Sequence, residues 1–177
     1  MALKAEVVEN DKTKENVNAP ALTETGIVDV EQSLLAWDNY QTLCSRLLND
    51  KDYQVYKDKD GKTKRFPKKS AWFKLGKAFN VCTRIIENTV HRSKTGRVQE
   101  AYYRVEAYLP NGSRIVEADA SCDIWEPGKA KSSGHDLRTT AETRATNRAI
   151  SKLIGAGEVS AEEINNPKDL KLVKNGE

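Results

Sequence analysis

Asn111-Gly112 constrains the fold of this chain more than any other pair of residues, because both types tolerate the positive φ angles that a two-residue hairpin turn requires. The runs beside it alternate with the period of a strand. In Arg114 to Trp125, Val116, Ala118, Ala120, Cys122 and Ile124 fall on one side, and Glu117, Asp119, Ser121 and Asp123 on the other. In Glu100 to Leu109, Tyr103, Val105, Ala107 and Leu109 oppose Tyr102, Arg104, Glu106 and Tyr108. A third β-branched run, Val81 to His91, leads into the turn Ser93-Lys94-Thr95-Gly96. Three antiparallel strands with one apolar face need a cover. Leu137, Ala141, Ala145, Ala149 and Leu153 supply it as an i, i+4 stripe, widened by Ile150 and Ile154. Thr139 with Glu142 predicts its capping box, and Gly155 and Gly157 its stop.

The expected fold class is therefore α+β: a three-stranded antiparallel β-sheet covered by a long Ala/Arg-rich helix, with an N-terminal helix and a basic β-hairpin before it. Residues 1–28 read as a flexible acidic tail, since their scattered apolar residues cannot offset ordering entropy. Val30, Leu34, Trp37, Gln41, Cys44 and Leu48 then mark an amphipathic helix from Asp29 to about Asn49, with Asp29 and Gln32 as a loose capping box. Tyr53 to Lys57 and Thr63 to Phe66 flank the turn Asp58-Lys59-Asp60-Gly61, and Ser70 predicts the N-cap of a helix through Phe79. A calcium loop is excluded, because Gly61 at its sixth position would put Tyr56 first and Pro67 twelfth. The segment Glu126 to His135 is expected as a mobile loop. Residues 29–157 read as one domain, and residues 158–177 as a short C-terminal helix, begun by Ser160 with Glu163, and a tail.

Charge is uneven along the chain. Residues 1–50 carry four basic and nine acidic side chains, residues 51–157 carry 22 and 12, and residues 158–177 carry three and five. Within the basic middle, Lys57 to Lys77 holds nine Lys or Arg against Asp58 and Asp60. Such a run repels itself unless it is solvated or faces a polyanion. Interleaved aromatics are what unpaired nucleic acid stacks on. For Trp72 and Phe73 themselves, however, the preferred reading is the core of an amphipathic helix. The expected DNA contacts are Lys62, Lys64, Arg65, Lys68, Lys69 and Lys74 from this run, Arg104 from the second strand, and Arg144, Arg148 and Lys152, which stack at i, i+4, i+8 with no acid among them.

Catalytic signatures are missing. No Walker loop, GxGxxG or HExxH occurs, and His91 and His135 read as surface residues. No cofactor or metal is expected. Glu117, Asp119 and Asp123 could hold Mg²⁺ in a nuclease, but the lysine that accompanies such carboxylates on the same strand is lacking, so they read as a polar strand face or as partners for arginines of a neighbouring subunit. Cys44, Cys82 and Cys122 form no CxxC pair and suit a reducing compartment. With no signal-peptide core and no membrane span, the expected setting is cytoplasmic, at a nucleoid or viral replication site.

The tract from Ser70 to Gly155 resembles the single-strand annealing proteins related to eukaryotic Rad fifty-two and the phage proteins Erf and Sak. AETRATNRAISKLIG (Ala141 to Gly155) is similar to their Ala/Arg-rich helix on a β-β-β sheet, and KKSAWFKLGKAFNV (Lys68 to Val81) to the helix before their first strand. The resemblance implies ATP-independent binding and annealing of single-stranded DNA in recombination or repair, by a homo-oligomeric ring or filament. Arg144, Arg148 and Lys152 would line a groove, with the Lys57 to Lys69 hairpin as a further wall. A single-stranded-DNA-binding protein is a further expected partner. Two other classes stay open: a double-stranded-RNA-binding module, and the Mg²⁺-dependent nuclease.

Overall fold

The structure, a computed structural model, describes residues 29–57, 60–156, 160–164 and 171–172. The expected N-terminal tail and the hairpin-tip residues Asp58 and Lys59 lie outside them. By its contacts the chain divides into residues 1–43 and 44–177, and helix α1 (Val30–Leu47) spans the division. In the first unit Asp29 caps α1, its carboxylate accepting from the Gln32 amide at 3.1 Å. Trp37 stacks on Tyr40 there, with ring centroids 5.4 Å apart.

The second unit opens on a capping box between Asn49 and Asp52, which starts a 3-10 turn at Asp50–Asp52. Strands β1 (Tyr53–Lys57) and β2 (Thr63–Pro67) follow as an antiparallel ribbon, Tyr53 opposite Pro67 and Lys57 opposite Thr63. Helix α2 (Lys69–Ala78) comes next. Lys68, not Ser70, stands at its cap, because the Ser70 hydroxyl is taken by Asp52 at 2.8 Å. Asp52 is 3% exposed and also accepts from Lys74 Nζ at 2.6 Å and the Asn49 amide at 3.0 Å. Burial pushes its carboxyl up, but the bonds from Lys74, Asn49 and Ser70 outweigh that and hold it below the ordinary value. One buried carboxylate thus ties the ribbon's entry to α2.

Strands β3 (Cys82–Arg92), β4 (Val98–Tyr108) and β5 (Ile115–Asp123) form the expected antiparallel sheet in that order. Val105 pairs with Ala118, Tyr103 with Ala120 and Ala101 with Cys122, so the inner face is made largely of small residues. Helix α3 (Gly134–Ile154) lies on that face through Leu137, Ala141, Ala145, Ala149 and Leu153. A second cluster joins Trp72 and Leu75 of α2 to Ile150 of α3, with Leu47, Leu48 and Val81 packed around it. Within the described residues no helix is long and apolar enough to cross a membrane. After Gly155, which adopts φ 73° and ends α3, Ser160 is buried and Ala161–Glu163 form one 3-10 turn where a short helix was expected. A last two-residue strand, β6 (Lys171–Leu172), pairs with β1.

Helix α3 begins five residues before the expected Thr139, inside the segment predicted to be a loop. Ser133 and Asp136 form its capping box, and Gly134 is its first residue. A Cβ at Gly134 would stand 2.7 Å from Val98 Cγ2, on a buried β-branched side chain that cannot swing away. Gly134→Ala would gain about 0.5–1 kcal/mol of helix propensity and lose about 1–3 kcal/mol to the overlap. A net loss is expected, read as a lower denaturant midpoint at unchanged slope.

Candidate nucleic-acid interface

Arg144, Arg148 and Lys152 do fall on one line, but it runs along the outer edge of β5. As the edge strand of its sheet, β5 turns alternate carbonyls outward with no strand among the described residues to meet them. Arg144 Nη1 donates to the Ser121 carbonyl at 2.9 Å, Arg148 Nη1 to that of Asp119 at 2.8 Å, and Lys152 Nζ to that of Glu117 at 3.3 Å. The match is metric: four helical residues rise about 6 Å, close to the roughly 6.7 Å of two strand residues. The row closes the sheet edge.

Arg144 corrects the expectation of an exposed cationic face. It is 4% exposed, and its Nη1 and Nη2 donate to the two carboxylate oxygens of Glu126, each at 2.8 Å. Burial pushes the Glu126 carboxyl up, but the Arg144 guanidinium outweighs it and holds the group below the ordinary carboxylate value. Burial likewise opposes the charge on Arg144, and Glu126 more than restores it. Arg148 stays exposed, yet its Nε and Nη2 donate to Glu163 at 3.0 and 2.9 Å. Glu126 and Glu163 are remote in sequence from the row, so no helical spacing rule announces either pair.

Several of the basic side chains in this run are held by groups of their own chain. Arg65 bonds Asp50 at 2.7 Å and lies 4.3 Å over the Tyr53 ring, Lys74 is held by Asp52, and Lys68 Nζ donates to the Lys51 carbonyl at 3.2 Å. Lys62, Lys64 and Lys69 have exposed side chains. Arg104 stands on the outer sheet face between Glu87 at 3.7 Å and Glu117 at 4.0 Å, in half-exposed pairs of small worth. Helix α2 and the α3 row occupy different sides of α3. Helix α2 reaches α3 on its Ile150 side, and Ile150 is two residues after Arg148, about 200° around the helix.

Trp72 and Phe73, read together as core, part company. Trp72 is fully buried, whereas Phe73 is 55% exposed. Lys69, Phe73 and Lys77 follow one another at i, i+4, i+8 on the outer face of α2, with Lys69 Nζ 5.4 Å from the Phe73 ring centre. Beside Phe73 lies an open depression of about 290 Å³, lined also by Lys77, Asn80, Thr83 and Ile150. An aromatic face between two cations, next to a cavity, can stack a base and neutralise the flanking phosphates.

A second cationic region escaped the sequence reading. The end of β3 and the β3–β4 turn carry Arg92, Lys94 and Arg97, and the segment after β5 carries Trp125, Lys129 and Lys131. Sheet pairing joins them: the Ile124 amide donates to the Gln99 carbonyl at 2.9 Å, and Arg97 Nη2 to that of Ala130. Trp125 is 69% exposed. Three cations in the six residues from Arg92 to Arg97 are a visible signal, but about thirty residues separate them from Trp125 and Lys129.

The acids of the nuclease alternative do not converge. Asp123 accepts the Trp125 and Glu126 amides at 2.7 and 3.0 Å, and among the described residues no group of three or more His, Cys, Asp or Glu side chains could hold a metal. The Cys122 thiol is buried, and burial, with Glu126 beside it, pushes it up and makes it a poor nucleophile. The chain is thus an α+β protein whose three-stranded sheet is backed by one long helix. No protein-family model and no curated protein matches it.

Proposed function

We propose that this chain binds single-stranded DNA without catalysis and anneals complementary strands, as an oligomer that needs no nucleotide. The observation that carries the reading is Phe73, exposed between Lys69 and Lys77 on one helical face. Stacking on an aromatic is indifferent to base identity, and phosphate neutralisation is indifferent to sequence, so binding is tolerant of sequence and weakens with salt. From Lys69 to Lys77 the helix rises about 12 Å, the length of at most about four stacked nucleotides. A contact so short binds a long strand firmly only when several copies act on it together, which is the argument for an oligomer. A strand held by backbone and stacking, with its pairing edges open, lets a second strand test its match.

The test is annealing of two labelled complementary oligonucleotides without nucleotide, with light scattering for mass and duplex RNA as competitor. Accelerated annealing by a multimer that prefers single strands is expected. A monomer that leaves the annealing rate unchanged, or that prefers duplex RNA, overturns the reading.

A further inference from the structure

Glu163 occupies the side of Arg148 that a phosphate would take. Nε and Nη2 of Arg148 converge on one oxygen of Glu163, at 3.0 and 2.9 Å, while Nη1 is held separately by the Asp119 carbonyl at 2.8 Å. The guanidinium is therefore aimed by the edge of β5 and keeps its orientation whatever meets its other side. A phosphate oxygen satisfies the same two donors as the carboxylate does.

We propose that the segment Ser160–Ile164 is an acidic latch, closed over Arg148 at rest, and that a phosphate of a bound single strand displaces Glu163 and takes its place. The proposal rests on the reading of the chain as a single-strand binder. Three features distinguish this pair from the permanent one at Arg144. The two carboxylates are alike, with side chains 13% and 16% exposed, but Arg144 is 4% and Arg148 42% exposed, so solvent and ligand reach the second arginine and not the first. The latch is a single 3-10 turn, held by two backbone bonds, from the Glu163 amide to the Ser160 carbonyl at 3.0 Å and from the Ile164 amide to the Ala161 carbonyl at 3.2 Å. Its root is fixed independently: Asn147 Nδ2 donates to Ser160 Oγ at 2.9 Å, and both residues are 1% exposed. The turn can thus swing while its root stays in the core. Lys152, exposed and next in the row, would then stand beside an open Arg148 and extend the strip by one cation.

The experiment measures binding of a labelled oligothymidylate to the full chain across a salt series. Glu163→Gln is expected to steepen the slope of log affinity against log salt by about 0.7, one phosphate's worth, and so to raise affinity about fivefold near 0.1 M salt. Adding Arg148→Gln returns both to the wild-type values, and Glu163→Ala behaves as Glu163→Gln does. Wild-type affinity and slope in Glu163→Gln, with binding still lost in Phe73→Ala, overturns the latch and leaves the functional reading standing. Absence of binding by wild type and by every Glu163 variant overturns both.

Discussion

Arg144→Ala is expected to lower stability by about 3–5 kcal/mol, because it strands the Glu126 carboxylate in a partly buried site. For a chain of this size that corresponds to roughly 6–20 °C in melting temperature. The loss should depend on pH. In the wild type Glu126 titrates below its ordinary value of 4.5, so the pair contributes fully above that value and its contribution fades as pH falls through the lower folded one. In the variant the largest lowering influence is gone and burial is opposed only by the Asp123 amide and the Cys122 thiol, so less stability is lost as the carboxyl protonates. The gap between the two proteins is widest at neutral pH and narrows below about pH 4.5. Melting curves from pH 7 to 3 check this; a gap that stays constant, or a variant as stable as wild type at pH 7, removes Arg144 from the framework. Loss of DNA binding in Arg144→Ala would therefore report unfolding, not a missing phosphate contact.

Trp72→Ala and Phe73→Ala are expected to fail in opposite ways, although the residues are neighbours. Trp72 fills the cluster between α2 and α3, and its truncation should cost about 3–5 kcal/mol of stability. Phe73 faces outward, and its truncation should leave stability within about 0.5 kcal/mol. It should instead remove about 1–3 kcal/mol of single-strand binding, a fivefold to 150-fold loss by ordinary affinity arithmetic. Denaturation midpoints together with fluorescence titration of an oligonucleotide separate the two. A Phe73→Ala variant that binds as wild type does would take the α2 face out of the function.

How much of this was legible varied with the range of the interaction. The alternation of β4 and β5 and the alanine stripe of α3 are local patterns, and each stands where expected; the turn at Asn111-Gly112 also joins β4 to β5, but as a longer loop closed by the Leu109 amide on the Arg114 carbonyl, with positive φ at Gly112 and not at Asn111. The start of α3 was misread because Thr139 and Glu142 offer the same chemistry as Ser133 and Asp136, and only Gly134 against Val98 lets the helix run on to the earlier cap. Phe73 and Trp72 are both large aromatics, so their separation depended on which side of α2 met Ile150 and Leu47.

By itself the sequence determined the periodicities, the turns and the excess of positive charge in residues 51–157, since these depend on neighbours a few positions apart. Only the tertiary structure decided what each charge does. Arg144 and Arg148 differ by one helical turn and look alike as letters, yet one is buried against Glu126 and the other stays exposed beside Glu163. The reason is physical: a cation's partner is whichever acid the folded chain brings within about 4 Å, and in a sheet backed by a helix that acid comes from a distant part of the sequence.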